Sequence, residues 1–254
     1  MYLQITTKCN MKCEHCGFSC NKNGKHMDLD TFEIAINYIK DYADIITIGG
    51  GEPTLHPDFF RILKTCLENF DHVWLATNGS QTRKMLRLAS ILDDDDISYL
   101  SENHLPFQKD DETEDEYDER IDGLVYSNAI MNEGKLGVAL SQDYYHDPID
   151  QRVIDLWTRK AKQNTYGNSN GFEIRNVTQS HSGVSATGRA KRNGIGQSNR
   201  CICSDLIIKP DGNIKACGCT KSPIIGDIFN GIKDEYQEII DSDEFRETNC
   251  YFGN

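Results

Sequence analysis

Apolar residues recur at helical spacing after Met27: Phe32, Ile36 and Ile39 fall on one face, and Asp28 or Asp30 can cap the first turn. A continuous apolar run from Ile45 to Ile48 then breaks into glycines, the pattern of a buried strand. Residues 59–70 return to the helical period, residues 72–79 read as a strand, and residues 81–92 as a further helix. With a short strand over residues 2–7, the order is β-α-β-α-β-α. That order predicts a parallel sheet with crossover helices. The alternation resumes with a strand and loop over 136–147, a helix over 150–162 and a strand over 171–177. Residues 178–199 are rich in Gly, Ser and Asn and read as a loop. Beyond them, residues 205–217 form a two-strand pattern folded at Pro210-Asp211-Gly212, a turn sequence. Five or six β/α units and a small cysteine-rich appendage are expected.

Charge changes this picture in one place. The chain of 254 residues has a net charge of −13, but residues 93–120 alone hold thirteen acids against two bases. The remainder is close to neutral. The acidic stretch reads as a solvated surface insert, and a chain of this charge is not expected to bind nucleic acid non-specifically. No apolar run approaches the ~18 residues that a membrane-spanning helix needs. The opening residues, Met1 to Cys9, have neither the basic start nor the apolar stretch of a signal peptide, so a cytoplasmic location is expected.

Ten cysteines require an explanation, and eight of them fall in two tight groups: 9, 13, 16 and 20, then 201, 203, 217 and 219. In a reducing compartment such groups are metal ligands sooner than disulfides. Cys66, on an amphipathic helix, reads as a small core residue. Cys9, Cys13 and Cys16 place three thiols within eight residues, directly after the first strand. Three thiolates converging on a four-iron cluster leave one iron open to bind a cofactor. Zinc, with His15 or Cys20 as fourth ligand, is the bland alternative. Cys20 itself reads as a bystander.

This C-x3-C-x2-C loop resembles the signature of the radical S-adenosylmethionine (radical SAM) superfamily. Gly49-Gly50-Gly51-Glu52-Pro53, at the end of the second strand, is similar to that family's SAM-binding GGEP motif. Glycines there let backbone approach a ligand. Thr77-Asn78-Gly79, the polar strand end with Ser141 and Asp143, and Gly188-Arg189-Ala190 resemble weaker family elements that follow in the same order. The resemblance implies that Gly49 to Pro53, Asn78, Ser141, Asp143 and Arg189 bind the cofactor. His56 and His146 read as surface or core histidines. Five bases without an acid between Ile174 and Ser204 read equally as a solvated face or an anion site.

The second cysteine group flanks the predicted hairpin, and four thiolates there satisfy zinc or an iron–sulfur cluster equally well. Cys201, Gly212 and Cys217 are spaced as at the opening of SPASM and twitch extensions. That similarity implies one auxiliary iron–sulfur cluster, its ligands drawn from Cys201, Cys203, Cys217, Cys219 and Cys250. The fold expected from the resemblance is a partial (β/α)6 radical SAM barrel over residues 1–199, with the extension over 200–254.

The resemblance further implies an enzyme that reductively cleaves SAM at a [4Fe-4S] cluster to a 5′-deoxyadenosyl radical, which abstracts a hydrogen atom from substrate. An electron donor such as flavodoxin or ferredoxin is then expected. A peptide or protein side chain is the first substrate reading. Because the chain begins at the first strand, no peptide-recognition domain is expected before it, which keeps a small molecule or nucleotide beside the peptide. A non-catalytic iron–sulfur or zinc protein would have no use for the glycine strand.

Overall fold

The computed structural model describes residues 1–90, 135–163, 172–175, 184, 186–196, 206–218 and 222–247. Five strands alternate with helices in its first part. They are β1 (Tyr2–Thr6), α1 (Leu29–Ile39), β2 (Ile45–Gly50), α2 (Phe59–Asn69), β3 (His72–Thr77), α3 (Thr82–Ser90), β4 (Leu136–Ser141), α4 (Gln151–Gln163) and β5 (Phe172–Arg175). A short helix, α5 (Gly188–Arg192), follows. Then come β6 (Ile207–Ile208), β7 (Asn213–Lys215), β8 (Ile224–Asp227), β9 (Gly231–Ile232), α6 (Asp234–Asp241) and α7 (Asp243–Glu247).

The strands form one open sheet in the order β5-β4-β3-β2-β1-β6-β7-β8-β9. All pairs from β5 to β1, and β1 with β6, are parallel, whereas β6 to β9 pair antiparallel. The β/α alternation dictates the parallel part, since a crossover helix returns each strand to the same edge. Strands covered on both faces must be apolar throughout. Leu136 to Leu140 in β4 are accordingly all buried. Helix α2 buries Phe59, Ile62, Leu63, Cys66 and Leu67, one stripe at helical spacing, so Cys66 is a core residue as expected. The Asp28 carboxylate caps α1 by accepting from the Thr31 N–H at 2.8 Å.

The predicted hairpin is present as β6 and β7, with Gly212 in the left-handed region at φ 81°. Ile207 pairs with Tyr2 and Ile208 with Leu3, which places the hairpin beside the central strand and adds Ile208, Ile214 and Ile225 to the main core. One expectation fails within 178–199: residues 188–192 form helix α5, which the Gly-Ser-Asn composition around them conceals. The acidic insert lies outside the described residues. None of the helices described is long and apolar enough to cross a membrane.

Candidate active site

Because the sheet is parallel, the C-terminal ends of β1 to β4 emerge at one edge, and the residues singled out in the sequence follow them. The loop after β1 is closed by its own backbone: the Thr7 N–H donates to Lys25 O at 2.8 Å and the Cys9 N–H to Asn21 O at 2.9 Å. This zipper presents Cys9, Cys13, Cys16 and Cys20 to one cavity of about 240 Å³. Cys9 and Cys20 are buried, Cys13 and Cys16 half-buried.

The end of β2 is sewn to that loop. The Gly51 N–H donates to Thr6 O at 2.8 Å and the Glu52 N–H to Lys8 O at 2.9 Å. A Cβ on Gly50 would lie 2.1 Å from Thr6 O, and one on Gly51 would lie 2.1 Å from Lys8 O. Gly50 also has φ 135°. No side chain fits between two backbones this close. Of the stretch Gly49 to Pro53, Gly50 and Gly51 line the cavity.

Glu52 is fully buried, and its carboxylate faces the protein. It accepts from Thr54 N (3.1 Å), Thr54 Oγ1 (2.5 Å), Thr77 Oγ1 (2.7 Å) and Asn78 N (2.7 Å). Burial raises its pKa, opposed by these donors. Glu52 therefore braces the end of β2 against that of β3. Behind it the Lys84 ammonium, its pKa lowered by burial, donates to Thr54 O at 2.7 Å and His56 O at 3.2 Å. His56 is a core histidine: its Nε2 lies 2.7 Å from Met27 O and its Nδ1 accepts from Asp58 N. Asn78, at the end of β3, reaches the cysteines, with Nδ2 3.8 Å from Cys9 Sγ and 3.2 Å from Asn10 Oδ1.

At the end of β4, Ser141 lines the cavity but Asp143 does not. The Asp143 side chain is 1% exposed. Its Oδ1 accepts from Tyr145 N and meets His146 Nδ1, both at 2.8 Å. His146, read from the sequence as a surface or core histidine, thus lines the cavity with its ring oriented by a carboxylate. His15, between Cys13 and Cys16, packs at a tilt 4.5 Å from Tyr145 and edge-on 5.0 Å from His146, centroid to centroid. Burial pushes its pKa down to about 4, so its imidazole is neutral. His15 Nδ1 and Asp143 Oδ2 are both buried without a hydrogen-bond partner. The Asp-x-x-His spacing and the histidine inside the cysteine loop were the sequence signals for this group.

Electrostatics divides the thiols. Burial raises the pKa of Cys9 and pushes that of Cys13 up to about 12. A hydrogen bond with the Cys20 thiol, itself shifted upward, brings Cys16 down to about 5. Metal binding here would release protons. Donor spacing separates the metals that would fit. A single ion needs its ligand atoms close together, and among the described residues the set within 4.8 Å of one another is His15, Asp143 and His146, a nitrogen–oxygen set suited to a borderline divalent ion. The three cysteines form no such set. They suit a larger, multi-iron group that holds its thiolates apart.

Arg189 stands behind the loop, donating to Cys13 O and Cys20 O. Of the second cysteine group, Cys217 is described: it is buried just beyond β7, with its N–H donating to Ser222 Oγ at 3.0 Å. Cys201, Cys203, Cys219 and Cys250 lie outside the described residues.

A parallel α/β sheet whose first strand delivers three thiols beside a glycine strand end defines a class. Residues 3–103 match the radical SAM superfamily. The chain belongs to that superfamily, and it is a radical SAM enzyme. Membership implies a [4Fe-4S] cluster and SAM as cofactors. Among curated relatives, a GTP 3′,8-cyclase of Clostridium perfringens (strain SM101) is 24% identical over 296 residues, which span 96% of this chain and 86% of its own. The mycofactocin maturase MftC of Mycobacterium tuberculosis is 32% identical over 84 residues, 30% of this chain and 20% of its own. A crystal structure of BtrN in an open conformation aligns with 98% of this chain and 90% of its own, at 13% identity and a TM-score of 0.47.

Proposed function

We propose that Cys9, Cys13 and Cys16 hold the [4Fe-4S] cluster and that SAM occupies the adjoining cavity against Gly50, Gly51, Asn78 and Ser141. The observation that carries this reading is the convergence of three loop thiols and the glycine strand end on one cavity. The bound cluster and SAM supply a carbon radical that removes a hydrogen atom from substrate. The chain's own part is to hold the thiols, shape the cavity and exclude water. Backbone groups of Gly50 and Gly51 would hold the cofactor's ammonium, and Glu52 keeps the strand ends in place beneath them.

The substrate we propose is a peptide or protein side chain, approaching through a second hollow of about 490 Å³ that shares Cys13 and is walled by Lys12, Tyr144 and Tyr145. A nucleotide is the second reading, favoured by the GTP 3′,8-cyclase likeness, which extends over nearly the whole chain. Residues 200–254 are proposed as a twitch-like extension with one auxiliary cluster, and residues 1–199 as the barrel. The experiment is to incubate reconstituted, reduced enzyme with SAM and either GTP or a peptide library. Stimulated 5′-deoxyadenosine formation with peptide, and none with GTP, supports the first reading; the reverse supports the second.

A further inference from the structure

We infer that Arg189 is a positioning residue of the N-terminal cluster, fixing the cysteine loop and acting as the buried counter-charge to the iron–sulfur group. The inference rests on the cluster assignment proposed above.

Arg189 is 8% exposed, and no carboxylate pairs with it among the described residues. A guanidinium cannot shed its charge, and a buried unpaired charge is costly. This one faces the cysteine loop. Nη1 donates to Cys13 O at 2.7 Å, Nη2 donates to Cys20 O, and its own N–H donates to Cys16 O at 2.9 Å. One residue therefore grips the loop at three points, two of them the backbone of cysteines proposed as ligands.

The residues beside it complete the clamp. Asn193 Nδ2 donates to Glu14 O at 3.0 Å, and Arg192 Nη2 donates to Ser19 Oγ at 3.1 Å. Gly188, at φ 53°, packs so closely that a Cβ there would lie 1.9 Å from Gly17 O. The segment 188–193 is shaped to the back of this loop.

The carbonyls solvate the fork but carry no net negative charge. A cluster held by three thiolates does, and it gains one more negative charge on reduction. A buried cation at this place stabilises the reduced form more than the oxidised one, which makes the cluster easier to reduce.

The test uses the full chain, anaerobically reconstituted, as wild type, Arg189→Gln and Arg189→Lys. Iron release to a ferrous chelator and the cluster midpoint potential, read by EPR-monitored titration, are the two measurements. Arg189→Gln is expected to release iron at least about tenfold faster, from the loss of charge-assisted hydrogen bonds, and to shift the potential to a more negative value. Arg189→Lys keeps the charge but not the fork, so it should hold a near-wild-type potential while releasing iron faster. A glutamine variant that folds by circular dichroism yet holds no iron, beside a lysine variant that does, supports the same role. An unchanged potential in the glutamine variant overturns the inference. So does a lysine variant that shifts as far as glutamine, or two folded variants that both fail to load. A wild-type protein without a cluster would instead overturn the assignment beneath it.

Discussion

The two parts of the sheet solve the same problem differently. In the parallel part, crossover helices pack against the sheet, β3 alternates buried and part-exposed positions and β4 is buried from Leu136 to Leu140, and the polar residues that line the cavity stand at strand ends. Those ends carry the cysteines, the glycines, Asn78 and Ser141. In the antiparallel part the strands are two to four residues long and are joined by tight turns such as that at Gly212. The difference shows where chemistry can be placed. A parallel sheet brings side chains from distant parts of the sequence to one edge, while a meander keeps neighbours in sequence together. The parts are nonetheless joined, because β6 lies against β1 and Ile208, Ile214 and Ile225 belong to the main core.

The most severe way to break the parallel side is at its glycines. Gly51→Val sets a branched side chain against Lys8 O, a backbone atom that cannot turn aside. A cost of about 3 kcal/mol is expected. The Tm should fall by about 6 °C or more, read by calorimetry, with lost SAM binding.

The link between the parts is sharpened by Ile208→Ala, at a fully buried position of β6. A loss of about 2–4 kcal/mol is expected in denaturant unfolding. A single transition would show that the extension unfolds with the barrel strands. A cost below ~1 kcal/mol would show that the hairpin is merely appended.

Asp28→Ala removes the α1 cap and should cost about 1 kcal/mol. The Thr31 N–H and hydroxyl bonds lower the Asp28 pKa below its usual 3.8. A depressed folded pKa means stability present above pH 3.8 and lost as pH falls through the lower folded value. The difference between wild type and variant should therefore close in strong acid.

Much of this was legible in the sequence. Apolar runs and helical stripes located the five β/α strands, and the spacing of Cys9, Cys13 and Cys16 with the glycine run located the cavity. Helix α5 was not legible, because its five residues are fixed by what Gly188 and Arg189 meet on a loop some 170 residues earlier. The inward turn of Glu52 was hidden for the same reason: its donors Thr77 and Asn78 come from the next strand. His146 read as ordinary because its Asp143 partner, three residues earlier, is a short local pattern, and only the fold brings His15 to it.

The most direct measurement is SAM cleavage by the reconstituted, reduced chain beside the variant with Cys9, Cys13 and Cys16 all replaced by Ala. Wild type is predicted to form 5′-deoxyadenosine and methionine. The variant should lose about four irons per chain and all of that cleavage. Cleavage retained by the triple variant would contradict the central claim.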